Sequence, residues 1–314
     1  MIRKPNEIQL TRVYDAPVKV VWDAFVDPKQ AGQWWGPRGF TLTTHSKDFR
    51  VGGSWVYTMH GPDGTDFPNR TVYLEIEEHK KMVYDHGGTE DTPPMFRVTV
   101  IFTEIGDKTK MEMSMALPTH EAAENTRKII KKHGGNSCWD RLAEYLGETR
   151  SQQQFFVINR SFAAGIETLF EMWSDPKHVA KWMPPTGFNM EYINVDIKPG
   201  GSSFYKMSNG QMTMYGRAKY LEIVRPSRIA YTQQFCDEKG NVSRHAMAPT
   251  FPETLLTTIV FTEEYPGQTR VTVKMEPHGT FTAEEQAVFA KARAGMTGGW
   301  TGSFDKLEEY LVKS

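Results

Sequence analysis

Apolar and polar positions along the chain follow two periods, and each period occurs in both halves. Ile8 to Tyr14 and Phe155 to Phe162 read as strands. Val18, Val21, Trp22 and Phe25 follow at i, i+3, i+4 and i+7, the stripe of an amphipathic helix, and Ile166, Leu169, Phe170 and Trp173 repeat it. Asp15-Ala16-Pro17 reads as the start of the first helix, with Asp15 as N-cap and Pro17 in the first turn. Asp27-Pro28 and Asp175-Pro176 start a second, shorter helix by the same logic. After a Gly52-Gly53 bend, Trp55, Tyr57 and Met59 alternate with Ser54, Val56 and Thr58. Thr71 to Glu77, Met82 to His86, Phe96 to Thr103 and Lys110 to Met115 are further strands. In the last of these Met111, Met113 and Met115 share one face, and Glu112 and Ser114 the other. Gly61-Pro62-Asp63-Gly64 and Gly106-Asp107-Lys108 are turns, so the strands form an antiparallel meander. A helix closes each half, carrying Trp139, Leu142 and Leu146 in the first and Trp300, Phe304, Leu307 and Leu311 in the second. Thr282-Ala283-Glu284-Glu285 fits a capping box. Gly295, Gly298, Gly299 and Gly302 each cost about 1 kcal/mol relative to Ala inside a helix, which places the proper start of that helix near Gly299, after a loop.

The two halves are copies of one another. Asp27-Pro28-Lys29, Trp34, Pro37 and Gly39-Phe40 return at a constant offset as Asp175-Pro176-Lys177, Trp182, Pro185 and Gly187-Phe188. Gly52-Gly53 and Tyr57 return as Gly200-Gly201 and Tyr205, and Tyr73-Leu74-Glu75-Ile76 as Tyr220-Leu221-Glu222-Ile223. Near the ends, Asp140-Arg141-Leu142 answers to Asp305-Lys306-Leu307. This order describes a duplicated domain. Gly147 to Gln154 is polar and aperiodic and reads as a linker, giving domains over 1–150 and 151–314.

Strand, two helices, antiparallel meander and long helix in that order resemble the helix-grip fold of the START-like, or SRPBCC, superfamily. The resemblance is nearest to the branch similar to the C-terminal domain of the activator of the heat-shock-protein-90 ATPase. It is carried by Ala16-Pro17, Val21-Trp22-Asp23-Ala24-Phe25, the Asp-Pro-x(5)-Trp segment, Gly52-Gly53, Tyr73-Leu74-Glu75-Ile76 and Trp139-Asp140-Arg141-Leu142 with Tyr145-Leu146. The fold class this implies is α+β, with two tandem helix-grip domains, each a curved antiparallel sheet around a long C-terminal helix.

Charge and cysteine content narrow the function. With 37 Lys+Arg against 38 Asp+Glu the chain lacks the concentrated basic surface of a nucleic-acid binder. No stretch approaches the roughly 20 consecutive apolar residues of a membrane span. Cys138 and Cys236 are too few for a disulfide framework, and the opening residues have no apolar signal-peptide core, so a cytoplasmic setting is expected. Histidines without an H-x-x-x-H spacing, and no Walker, G-x-G-x-x-G or G-x-S-x-G motif, leave no metal or cofactor expected.

The superfamily's cavity lies between sheet and terminal helix. If it is present here, its lining would come from Trp55, Tyr57, Met59, Tyr84, Met113 and Met115 in the first unit. In the second it would come from Ser203, Tyr205, Met207, Tyr231, Val273, Met275 and Trp300. The same alternation also describes a filled core. Ser203 in place of Trp55 predicts the larger cavity in the second unit. His86 and His245 are general-base candidates by residue type, with surface or hydrogen-bonded roles the commoner use. Three functions follow: binding of a small apolar or amphipathic molecule, a cyclase- or aromatase-like reaction in the same pocket, or co-chaperone action on the 90-kDa heat-shock chaperone. True activators carry a different N-terminal domain, which this chain replaces with a second copy. Duplication also suggests pseudo-twofold packing of the halves, with Trp34-Trp35 and Trp182-Met183 at that interface or at the pocket mouths.

Overall fold

The computed structural model describes residues 5–87, 92–132, 137–150, 155–244 and 248–313. The chain divides into two compact units, Met1–Thr149 and Arg150–Ser314. The first unit runs β1 (Glu7–Tyr14), α1 (Val18–Val26), α2 (Pro28–Trp34), β2 (Thr41–Lys47), β3 (Ser54–His60), β4 (Asp66–Glu77), β5 (Lys81–His86), β6 (Phe96–Ile105), β7 (Lys108–Ala116), α3 (His120–Lys132) and α4 (Ser137–Arg150). The second repeats it as β8 (Phe156–Phe162), α5 (Ile166–Ser174), α6 (Pro176–Trp182), β9 (Asn189–Val195), β10 (Ser202–Ser208), β11 (Thr213–Val224), β12 (Arg228–Cys236), β13 (Leu255–Tyr265), β14 (Gln268–Pro277) and α7 (Ala283–Lys313). Each sheet is a seven-stranded antiparallel meander with the first strand beside the last, in the orders β1-β7-β6-β5-β4-β3-β2 and β8-β14-β13-β12-β11-β10-β9. This is the α+β helix-grip fold, twice.

The repeated motifs are explained by contacts within each unit. Gly52 N donates to Tyr73 O at 2.8 Å and Tyr73 N to Gly53 O at 3.0 Å; Gly200, Tyr220 and Gly201 repeat the pair. A Cβ on Gly53 would lie 2.3 Å from Asp48 O, and one on Gly201 2.2 Å from Asp196 O, so no other residue fits this bend. Tyr73-Leu74-Glu75-Ile76 spans a bulge after Tyr73, and Tyr220-Leu221-Glu222-Ile223 spans one after Tyr220. Leu74 and Leu221 fall in these bulges and are accordingly exposed.

Helix starts divide into two kinds. Asp27 Oδ1 accepts from Lys29 N at 2.8 Å and Asp175 Oδ1 from Lys177 N at 2.7 Å, both with proline following. The first helix differs from the expectation: Pro17 is its N-cap, no side chain caps it, and Asp15 instead approaches Lys108 at 3.5 Å. Trp34 and Trp182 end the second short helix of each unit. They donate to Ala24 O and Met172 O at 3.0 and 2.9 Å and are wholly buried in their own units, so neither is a surface or mouth residue.

Two expectations about helices are corrected. The closing helix of the second unit begins at Ala283, not near Gly299, and continues to Lys313. Its capping box forms, with Glu285 N donating to Thr282 Oγ1 at 3.1 Å and Thr282 N to Glu285 Oε2 at 2.7 Å. Burial of Phe289, Phe304 and Leu307 carries it across the glycines. At Gly302 a Cβ would meet Thr186 Oγ1 at 2.8 Å, so the close approach of the loop after α6 selects that glycine. The polar stretch from Gly147 is also helical as far as Arg150, where α4 ends; residues 151–154 lie outside the described residues.

Candidate functional site

A cavity of about 280 Å³ lies in the second unit between the inner face of the sheet and the helices. Strands β9 to β12 bring Tyr192, Ser203, Tyr205, Tyr220, Tyr231 and Gln233 to its wall. Helices α5, α6 and α7 and the residues after α6 bring Trp173, Val179, Met183, Pro185, Met296 and Trp300. Met190, Met207, Ala218, Ile229, Ile259 and Met275 add to the apolar part.

Pairing across the ladder sets the polar wall. Tyr205 opposes Tyr192, with ring centroids 6.2 Å apart, and Tyr220 opposes Tyr231, with centroids 5.8 Å apart. The hydroxyls of Ser203 and Tyr220 lie 3.4 Å apart. Gly216 makes room for the Tyr205 ring: a Cβ there would stand 2.6 Å from the ring and hydroxyl. Burial raises the pKa of all four tyrosines, and neighbouring phenols push those of Tyr192, Tyr205 and Tyr231 further in the same direction. They are neutral hydroxyls throughout the physiological range. Across the cavity, Trp300 stacks on Trp173 (5.8 Å, 15°) and its Nε1 donates to Met275 Sδ at 3.3 Å. The Trp173 Nε1 is buried without a protein hydrogen-bond partner, where the first unit has Phe25.

Of the second-unit residues singled out from sequence, the structure brings Ser203, Tyr205, Met207, Tyr231, Met275 and Trp300 to this cavity. Val273 is buried in the core, opposite Ile259 and Ile158, and is not on the cavity wall. Met183, expected at an interface or a pocket mouth, also lines it, and Tyr192, Tyr220, Gln233, Trp173 and Met296 join without having been expected there. Tyr220 carried a signal, its repetition of Tyr73; Tyr192 carried one too, since Met190 and Tyr192 alternate with Asn189 and Glu191 along β9.

In the first unit the equivalent place is occupied by rings. Trp35, where the second unit has Met183, lies 5.1 Å from Trp55, and Trp55 lies 4.2 Å from Tyr57. Trp35 Nε1 donates to the Tyr57 hydroxyl at 3.2 Å, and Trp139 closes against Trp35 at 6.3 Å. Trp55, Tyr57, Tyr84 and Met113 are buried in this cluster, with Met59 and Met115 packed against it. Lys47 Nζ stands 3.9 Å over the Trp55 ring and donates to Phe25 O at 2.7 Å; burial lowers its pKa to about 7.

The other nucleophile and base candidates that the structure describes lie away from this cavity. His86 ends β5, stacked on Phe96, and burial lowers its pKa to about 4. Burial pushes the Cys138 thiol up to about 11 and also raises that of Cys236. His245 lies outside the described residues. Among the described residues no group of three or more His, Cys, Asp or Glu is placed to hold a metal, and no helix is long and apolar enough to cross a membrane.

A seven-stranded antiparallel sheet closed by helices over an inner cavity defines a helix-grip protein. The family profile described as Activator of Hsp90 ATPase homolog 1-like protein matches residues 15–147 and again 163–312, so the chain belongs to that family, with two tandem copies of its domain. No curated protein matches the sequence. Among solved structures, a Nitrosomonas europaea protein is similar at 20% identity, over 48% of this chain and 99% of the other, with a TM-score of 0.44. The AHSA1 protein from Silicibacter pomeroyi is 19% identical over 50% of this chain and 97% of its own (TM-score 0.40). The di-domain ARO/CYC BexL from the BE-7585A biosynthetic pathway is 11% identical over 96% of this chain and 97% of its own (TM-score 0.40).

Proposed function

We propose that the second unit binds one small apolar or amphipathic molecule in its cavity and that the first unit does not. One observation carries this: a cavity of about 280 Å³ in the second unit, where the first has Trp35 and Trp55 in contact. A cavity of roughly 150 Å³ already holds benzene, so this one suits a molecule of about two fused rings. The wall favours binding over a cyclase- or aromatase-like reaction. Acid–base catalysis works best with a group titrating near the working pH, and the titratable groups lining the cavity are phenols whose pKa burial raises.

Mass spectrometry of freshly purified protein, native and then denatured, tests this reading. A discrete excess mass at one copy per chain, lost on denaturation, supports it. A stoichiometry of two would reassign the first unit as a second site. Bare protein that takes up no small apolar molecule, combined with stimulation of the ATPase of a 90-kDa heat-shock chaperone, would move the function to the co-chaperone role.

A further inference from the structure

The two sides of the cavity differ in chemistry, and on the binding reading above that difference narrows the ligand. The sheet side presents hydroxyls and one amide, those of Tyr192, Ser203, Tyr205, Tyr220, Tyr231 and Gln233, from four neighbouring strands. Each hydroxyl both donates and accepts, so the wall matches either a hydroxyl or a carbonyl. The helix side presents rings, thioethers and aliphatic groups. Its polar atoms are already engaged or covered: Ser303 Oγ donates to Met183 O at 2.8 Å, Trp300 Nε1 bonds Met275 Sδ, and Trp173 Nε1 is buried. No Lys, Arg, His, Asp or Glu lines the cavity among the described residues.

We infer that the cavity selects a neutral, flat ring molecule bearing oxygen groups along one edge, and rejects carboxylates and ammonium ions of equal size. The ring lies against Trp300 and Met183, where aromatic and thioether surfaces give area and polarizability without geometric demand. The oxygen edge meets the tyrosine hydroxyls. An ion of either sign leaves water for a wall that supplies dipoles but no countercharge, which costs several kcal/mol unless the ion sheds its charge.

Calorimetric titration of the full chain at pH 7 with four probes of one skeleton tests this: naphthalene, 1-naphthol, 1-naphthoate and 1-naphthylmethylammonium. 1-Naphthol is expected to bind at least about tenfold more tightly than either ion, and several-fold more tightly than naphthalene. The double variant Tyr205→Phe/Tyr231→Phe, checked for unchanged melting, is expected to lose the preference for 1-naphthol while still binding naphthalene. An ion binding as well as 1-naphthol overturns the inference and leaves the binding reading standing, as does a naphthol preference that survives the double variant. Failure of all four probes overturns the binding reading itself.

Discussion

Trp55 and Ser203 hold the same place in their sheets, each facing inward and paired across the ladder with a small residue, Thr71 and Ala218 respectively. One is an indole packed among rings; the other is a hydroxymethyl group on a cavity wall. Exchanging them is expected to exchange their consequences. Ser203→Trp fills the second cavity and abolishes uptake of a naphthalene-sized probe while the unit stays folded. Trp55→Ser removes a buried indole whose Nε1 donates to Thr44 Oγ1 at 3.1 Å. It is expected to cost about 3–5 kcal/mol in urea unfolding, as large-to-small core changes of this kind do. Undiminished binding by Ser203→Trp would contradict the equivalence.

Trp34 and Trp182 hold their own units together and do not line the cavity. Each is fully buried and gives its indole hydrogen to a backbone carbonyl of the preceding helix. Substitution by Ala is expected to cost about 3–5 kcal/mol at each site. Trp34→Ala is also expected to leave probe affinity unchanged. Thermal melts of the two variants that match the parent would refute this.

Lys47 makes the first unit sensitive to alkaline pH in a definite direction. Burial brings its pKa from 10.5 down to about 7 in the folded protein, whereas the unfolded chain keeps the proton up to about 10.5. Between these values the unfolded state binds more protons, so stability rises with pH from about 7 to about 10.5. Below that window both states are charged and the burial penalty is present in full. The stability of the parent relative to Lys47→Met is therefore expected to improve steadily from pH 7 to pH 10. A difference that stays flat over that range would argue against a buried amine.

His86 acts the same way in acid. With its folded pKa at about 4 against an ordinary 6.5, it is neutral in the folded protein over the range where the unfolded chain is charged. Stability contributed by this group is full above pH 6.5 and falls as pH drops towards 4. Proton NMR should show its ring resonances unshifted down to about pH 5, and a titration near 6 to 7 in the native state would disprove its burial.

Much of this molecule was legible in its sequence because the pattern is written twice. Meander, short helices and duplication follow from residues that recur at a fixed spacing, among them the Gly-Gly bend and the tyrosine it clasps. What escaped reading did so for physical reasons. In β2, Leu42 is the sole aliphatic residue among Thr, His, Ser and Lys, because an edge strand buries little. β9, which supplies Tyr192, is exposed at alternate positions in the same way. The glycines of α7 suggested a loop because propensity counts each residue alone, while a capped start and three buried apolar anchors act on the helix as a whole. The contrast of Trp55 with Ser203 pointed to the second unit. The tyrosine ring around its cavity needed the register of four strands, which composition does not encode.

The capping box at Thr282 and Glu285 gains meaning from the hollow beside the helix it starts. Leaving core volume unfilled costs roughly 24 cal/mol per Å³ in proteins whose cavities have been cut by mutation. A helix bordering such a space depends more on its ends, and here Arg244 also reaches Glu285, with its Nη1 2.6 Å from the carboxylate. On the binding proposal, a guest would fill that space and add to the stability of the second unit. Resistance of this unit to heat and protease would then gauge occupancy, and the lifetime of the protein would follow the supply of that guest.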